Sequence, residues 1–424
     1  MKGLTLSGGV ACDLVDGTVE QRDIHISGDR LGGDGGDRVD VSGCIVTGGF
    51  VCAHHHLYSA LARGMPGPTE SPRNFREILE RVWWRLDRAL EPETVSLSAR
   101  LGALEAALSG TTTIVDHHAS PEAIEGSLDL VADGISGAGL RGAVCYEVTD
   151  RHGEERGRAG IAENLRFAET NERALIAGMV GAHASFTIGD RTMEELVACA
   201  RNLGAPLHIH VAEDAFDEDD SMERYGLRTA ERLASRGALA EGDLIAHGVH
   251  LDDSEINAVR ASGAFVAHNP RSNMNNGVGY APALRLGERV ALGTDGIDGD
   301  MLSETKACYL KAREVSSSAG VGFAIDRLAQ GQAVAGSLFG EPALGRLSAG
   351  SPADLVVLDY SAPTPLDEGN LAGHLIFGRP VVRDVMVGGH WVVRDHKHTV
   401  IDEEELRAKC RSAAPKLWKR MEDF

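Results

Sequence analysis

The sequence predicts an α/β fold, a distorted (β/α)8 TIM barrel with a small β-sandwich built from both terminal regions. Three observations predict it. From about residue 49, short apolar runs alternate with helical patterns, the rhythm of βα repeats around a parallel sheet. About eight such strands fit into roughly 290 residues, the size of a (β/α)8 barrel with insertions. Strand-like segments occupy the chain before residue 49 and return after about residue 345.

The elements follow in order. Leu4 and Leu6, then Ile24 and Ile26, alternate with polar residues between glycine-rich turns, as short strands do. The first barrel strand is expected near Ile45–Val51. Pro92 suits the first turn of a helix, and Leu97, Leu101, Leu104 and Leu108 keep the spacing of a buried stripe. Gly110 suits its C-terminal stop, and Thr111–Val115, β-branched throughout, reads as the second strand. The alternation recurs at Gly142–Glu147, Ile176–Ala182, Pro206–Val211, Leu244–His247, Ala264–His268 and Val290–Thr294, with helical stretches such as Met193–Asn202 and Leu227–Ala234 between. Strands return at Asp354–Leu358, Val381–Val387 and Trp391–Val393, and Glu403–Met421 reads as a helix. The expected organisation is a composite sandwich of residues 1–48 and 346–400, a barrel of 49–345, and a C-terminal helix, 401–424, packing on the barrel.

Composition excludes several classes. The 424 residues carry a net charge of −21, which argues against nucleic acid or an anionic membrane as partner. No stretch reaches ~18 uninterrupted apolar residues, so no membrane span is expected. The start, Met1 to Leu6, lacks the apolar core of a signal peptide. Seven cysteines, scattered and without a CxxC pair, fit a reducing cytoplasm and not a disulfide scaffold. Only seven of the 42 basic residues are lysine, and none lies between Lys2 and Lys306.

Histidine is the informative residue. His54 and His56 stand two apart after the first strand, so both face one side while His55 faces the other. His208 and His210 share a face of the fifth strand, with Glu213 three residues on. His247, His268 and Asp295 close the sixth, seventh and eighth strands. Such barrels hold their active sites at the C-terminal strand ends. One HxH pair is a weak signal, but five strand ends carrying His, His, His, His and Asp point to a metal site.

These residues carry a family resemblance. Gly49-Phe50-Val51-x-x-His54-x-His56, His210-x-x-Glu213, Ala246-His247-Gly248-Val249-His250-Leu251, His268-Asn269-Pro270-x-Ser272-Asn273 and Gly293-Thr294-Asp295-Gly296 resemble the amidohydrolase superfamily, in its metal-dependent deaminase and chlorohydrolase branch. Gly345-x-Leu347-x-x-Gly350-x-x-Ala353-Asp354-Leu355-Val356-Val357-Leu358 resembles that branch's C-terminal segment. Leu57–Gly64, Trp83–Asp87 and Gly110–Pro121 are closer still to aminohydrolases of the SsnA type, a group associated with purine catabolism.

The resemblance implies that His54, His56, His210 and Asp295 hold one divalent metal, zinc or else iron(II), both of which suit such ligands. It implies proton and electrostatic work for Glu213 and His247, a substrate contact for His183, and a pocket shaped by Asn269, Ser272 and Asn273. His268 and the loop residue Arg63 join the substrate-facing set; Arg73 and Arg271 lie in other loops at the same mouth. The chemistry is consistent with this. A metal-activated water, its proton taken by Asp295, attacks an electron-poor ring carbon; Glu213 protonates the ring nitrogen, and His247 stabilises the attacking oxygen. The expected activity is release of ammonia from an amino-substituted purine, pterin or pyrimidine. A halide or a cyclic amide nitrogen as leaving group is the alternative on the same site, and a catalytically dead binding subunit is the rival from another class. The expected partners are a small heterocycle and copies of the same chain, as a homodimer or larger homo-oligomer.

The lysine gap bears on the metal count. Binuclear members of the superfamily often bridge two metals with a carboxylated lysine on the fourth strand, and Ile176–Ala182 has none. Weaker signals remain open. His117 and His118 either line the pocket or serve structure. The carboxylates after Glu213, Asp214 to Asp220, read as a solvated loop. Trp83-Trp84 reads as a core or subunit contact.

Overall fold

At Gly49 the expected first strand breaks in two. In the computed structural model, which describes residues 3–424, Cys44–Gly48 pairs antiparallel with Leu355–Asp359, whereas Phe50–His55 opens the barrel by pairing with Thr111–His118. Ile45–Val51 is therefore corrected to two strands in different sheets. A Cβ at Gly49 would stand 2.2 Å from Thr112 Cγ2, so the chain passes the second barrel strand where no side chain fits.

Cys44–Gly48 lies inside a seven-stranded sheet. Leu355–Asp359, Val381–Val387, His390–Arg394 and Lys397–His398 extend it on one side, and Val10–Asp13 and Thr18–Gln21 on the other. A four-stranded sheet, in the order Arg30–Leu31, Ile24–Ser27, Leu4–Ser7, Asp37–Asp40, faces it. Leu6, Ile24 and Ile26 bury against Val46, Leu355 and Val357, so alternation in both terminal regions fills one core.

The barrel runs through Phe50–His55, Thr111–His118, Arg141–Val148, Val180–Ala184, Leu207–Val211, Leu244–His247, Phe265–His268 and Val290–Leu292, each parallel to the next. The expected fourth strand, Ile176–Ala182, is two pieces: Ile176–Gly178 pairs with the third strand alone, and the chain resumes at Val180. Closure happens at the site itself. Thr294 and Asp295 donate their N–H groups to the His54 carbonyl at 2.9 and 3.0 Å.

The helices show why the periodicity was readable. Pro92–Leu108 begins with proline at its first turn, is capped by Thr94, whose Oγ1 accepts from the Glu91 N–H at 2.9 Å, and buries Leu97, Leu101 and Leu104, with Leu108 half-buried. The C-terminal helix Glu403–Arg420 packs on it through Cys410, and Trp418 Nε1 donates to the Leu61 carbonyl at 2.8 Å. After the first strand the chain makes a long excursion. Phe75–Ile78 and Trp84–Ala89 flank a π-helical turn, Leu79–Trp83, in which one extra residue rotates the helix face. No helix among the described residues is long and apolar enough to cross a membrane.

Candidate active site

Three imidazoles and one carboxylate meet at the mouth of the barrel. His54 and His56 come from the first strand, His210 from the fifth, and Asp295 from the turn after the eighth; one ligand atom of each lies within 4.8 Å of all the others. His56 Nε2 is 3.1 Å from His210 Nε2 and 3.1 Å from Asp295 Oδ1, and His54 Nε2 is 3.6 Å from Asp295 Oδ1. The second nitrogen of each ring is tied down. His56 Nδ1 donates to the His117 carbonyl at 2.6 Å and His210 Nδ1 to the His183 carbonyl at 2.7 Å. His54 Nδ1 lies 2.9 Å from His208 Nε2. A carbonyl only accepts, so the proton of His56 and of His210 sits on Nδ1 and the Nε2 lone pairs converge. His54 Nε2 is buried with no hydrogen-bond partner among the described residues. Crowded lone pairs beside a carboxylate call for a cation, and three nitrogens with one oxygen suit a divalent one.

Burial drives His54 and His210 well below the ordinary imidazole range, keeping them neutral as ligands must be. Burial lowers His56 too, but the Asp295 carboxylate outweighs it and raises His56 to about 9, so a cation must displace a proton there; the other two rings are already neutral. Burial pushes the Asp295 carboxyl upward, but the His54 and His56 rings, 3.6 and 3.1 Å from its Oδ1, outweigh it and hold Asp295 ionised. Glu213 goes the other way: burial, then the Asp295 charge, raise it well above the usual carboxylate range. One carboxylate and one carboxylic acid thus stand side by side, set apart by environment.

The backbone is bent to present these groups. Ala212, His247 and Asp295 have φ of 48°, 74° and 53°, left-handed values that L-residues avoid. Asp295 Oδ1 faces the imidazoles, while the Ser272 hydroxyl donates to Oδ2. His247 Nε2 lies 3.6 Å from Glu213 Oε2 and 4.0 Å from Asp295 Oδ2, and His247 Nδ1 lies 2.9 Å from Asn273 Oδ1. Asn269 Nδ2 packs at 3.4 Å against His247 Nδ1. Asn269 and Asn273 therefore stand behind His247 and are not among the cavity's lining residues, whereas Ser272 and His183 are.

His268 is not brought to the cavity. Its ring is fully buried, lies edge-on to Tyr280, and has no hydrogen-bond partner among the described residues. Arg63 reaches the rim, but both its Nη atoms are held by Glu105 at 2.8–2.9 Å. Arg73 pairs with Glu77, and Arg271 with Glu304 and Asp298. The acidic run is corrected from a loop to a helix, Ala215–Tyr225, capped by Asp214. Carboxylates suit the positive end of a helix, and Asp217 turns inward to accept the Glu213 N–H at 3.2 Å. Trp83 and Trp84, on and just after the π-helical turn, pack against the core as expected and also line the cavity.

The cavity measures about 410 Å³, within the small-molecule range. Phe75, Trp83, Trp84 and Phe186 wall it with flat apolar surface. Asp87 and Glu147 also line it; they close the resemblance segment Trp83–Asp87 and the strand Gly142–Glu147, and no sequence signal assigns either one a role in the site. His117 and His118 lie within the second strand, fully buried; His117 Nδ1 is 3.2 Å from Glu147 Oε2, and His118 Nε2 is 2.9 Å from Ser120 Oγ. Neither lines the cavity.

Comparison with known proteins matches this architecture. The amidohydrolase family model matches residues 45–392. A 5-methylthioadenosine/S-adenosylhomocysteine deaminase of Natronomonas pharaonis is 30% identical over 417 residues, 95% of this chain and 93% of that protein. A 5′-deoxyadenosine deaminase of Methanosarcina mazei is 30% identical over 395 residues, 90% and 89% of the two. Among solved structures, an adenosine deaminase from Xanthomonas campestris with bound zinc superposes with a TM-score of 0.85 at 22% identity, covering 98% of both chains. A zinc complex of atrazine chlorohydrolase from Arthrobacter aurescens does so with a TM-score of 0.82 at 21% identity, covering 97% and 100%. The two structures agree in fold; the family match and the two sequence relatives carry the assignment, and by them this chain belongs to the amidohydrolase family.

Proposed function

We propose that the chain is a mononuclear metal-dependent aminohydrolase that releases ammonia from an amino-substituted N-heterocycle of the purine, pterin or pyrimidine kind. Zinc is the preferred cation and iron(II) the alternative. The observation that carries the reading is the convergence of three imidazole Nε2 atoms and Asp295 Oδ1 beside a carboxyl group, Glu213, that is kept protonated. The deaminase relatives support it. The absence of a lysine from the fourth strand supports a single metal.

His54, His56, His210 and Asp295 would hold the cation. When bound, it supplies the Lewis acidity that makes water a nucleophile near neutral pH. Asp295 Oδ2, steadied by Ser272, takes a proton as the water's oxygen adds to the amino-bearing ring carbon. Glu213 delivers its proton to the adjacent ring nitrogen, so the developing charge is neutralised where it forms. With Nδ1 turned to Asn273, the neutral His247 ring presents the Nε2 lone pair to Glu213. His247 Nε2 therefore accepts the proton still carried by the added oxygen and returns it to Glu213, 3.6 Å away, which has given its own to the ring nitrogen. Asp295 then passes the proton it took to the amine, which leaves as ammonia as the carbonyl forms. The apolar walls exclude bulk water and stack the ring.

The same groups would expel a halide or open a cyclic amide, and the mass of the product separates these outcomes. Within this reading residues 1–48 and 346–400 form the sandwich, 49–345 the hydrolase barrel and 401–424 the packing helix, supported by the pairing of Cys44–Gly48 with Leu355–Asp359. It also places the protein in the cytoplasm, as a homodimer or larger homo-oligomer, in purine metabolism. The test is ammonia release by zinc- or iron-loaded protein over aminopurines, aminopterins and aminopyrimidines. Turnover of at least one supports the reading, and turnover of none rejects it.

A further inference from the structure

The cavity wall on the side of the third and fourth barrel strands presents three hydrogen-bond acceptors, two of them carboxylates. Asp87, on Trp84–Ala89, is 1% exposed and lines the cavity. Its Oδ2 is 3.6 Å from Arg151 Nη2, while its Oδ1 has no hydrogen-bond partner among the described residues. Glu147 Oε1, on the third strand, is 3.4 Å from the same Arg151 nitrogen. One guanidinium, laid 4.5 Å over the Trp84 ring, serves both carboxylates at stretched distances.

His183 adds a third acceptor. The Thr187 hydroxyl gives its proton to the Ala184 carbonyl at 2.9 Å, so towards His183 Nδ1, 2.8 Å away, its oxygen can only accept. The His183 proton is thereby fixed on Nδ1, and Nε2 turns a lone pair towards Glu147 Oε1, 3.8 Å off. No free cation compensates, because Arg63, the one arginine lining the cavity among the described residues, is bound to Glu105. Burial, then the neighbouring Glu147, push Asp87 up to about 7, while in Glu147 burial is outweighed by His183 and His117, which hold it below the usual carboxylate range.

Resting on the aminohydrolase reading of the site, we propose that Asp87, Glu147 and His183 form a subsite for a cationic, amine-type appendage of the heterocycle, away from the reacting carbon. An ammonium group brings three N–H donors and one positive charge, matching the three acceptors and the net charge of this wall. A carboxylate or phosphate in that place would face two carboxylates and a lone pair, and is selected against.

The test uses two purines that lack a leaving amino group, so binding is read without turnover: 9-(2-aminoethyl)purine and 9-(carboxymethyl)purine, titrated calorimetrically into zinc-loaded protein. The amine should bind at least about tenfold tighter, a difference of about 1.4 kcal/mol. That ratio should shrink below about threefold in Glu147→Gln and in Asp87→Asn, with zinc content unchanged. Equal or tighter binding of the carboxylate, which would make Arg151 the anchor, overturns the proposal. So does no binding of the amine, or a preference that survives in both variants. Should a variant not fold, the ratio in the unaltered protein decides. The 6-amino counterpart of the amine probe, assayed for ammonia, separates the two readings. Amine preference without turnover rejects the deaminase while leaving the subsite standing; turnover without amine preference does the reverse.

Discussion

Replacing Glu213 by glutamine removes an acidic proton and almost no volume. Glu213 is buried beside Asp295, and both effects keep its carboxyl neutral, so the amide introduces no change of charge at neutral pH. Glutamine Oε1 can still accept from Asn276 Nδ2, as Glu213 Oε1 does at 3.3 Å. Fold and metal content should therefore stay as they are. What is lost is a proton that can leave. A positioned general acid contributes about 10²–10⁴-fold, so kcat should fall by that factor, equivalent to about 2.7–5.4 kcal/mol of barrier. The pH profile gives a second reading. A raised carboxyl pKa leaves the acid form intact above the ordinary carboxylate range, and activity should decline as pH climbs through that raised value. This alkaline limb should be absent in Glu213→Gln. The assay is ammonia release at saturating substrate alongside metal analysis of the same sample. Activity within threefold of the parent would refute the acid role. Loss of metal would show that Glu213 supports the ligands and not the proton transfer.

Other outcomes follow from the same geometry. Asp295→Ala should lose both turnover and most of the metal, while Asp295→Asn, whose side chain tolerates the left-handed backbone at φ 53°, should lose turnover with the fold intact; metal analysis and thermal melts separate these. Thr187→Val removes the acceptor for His183 Nδ1–H, so KM should rise about fivefold, the worth of a typical hydrogen bond, with kcat little changed in steady-state assays. Gly49→Ala forces a Cβ to 2.2 Å from Thr112 and should destabilise the chain by about 1–3 kcal/mol, read as a lower denaturant midpoint at unchanged slope.

Much of this was legible because period and position carry it. Strands with two buried faces read as apolar runs, and histidines two apart at a strand end must share a side. His54, His56 and His210 needed no more than that. What escaped was set by contacts distant in sequence. Nothing near Asp87 shows that a π-helical turn aims its helix into the cavity. Glu147 looks like one polar residue of a strand until Arg151 and His183 are seen around it. Arg63 lies in the right loop, yet Glu105, on a helix 42 residues later, takes its guanidinium. His268 ends the right strand but turns to Tyr280. The acidic run misled for a local reason: carboxylates that suggest solvent also favour a helix start.

The single glycine between Cys44–Gly48 and Phe50–His55 has a thermodynamic consequence. Only four residues separate Gly49 from His54, and the sheet strand before it is held by Leu355–Asp359 near the other end of the chain. Dismantling that sheet would tug directly on the first barrel strand and displace two ligands together. By linkage, a bound cation must then resist opening of the sheet as well as of the barrel, by about 2.7 kcal/mol at a hundredfold excess over its dissociation constant. Hydrogen exchange at Val46 and Val357, both in the sandwich and outside the barrel, should accordingly slow on loading with metal, making the sandwich a reporter of an occupied centre.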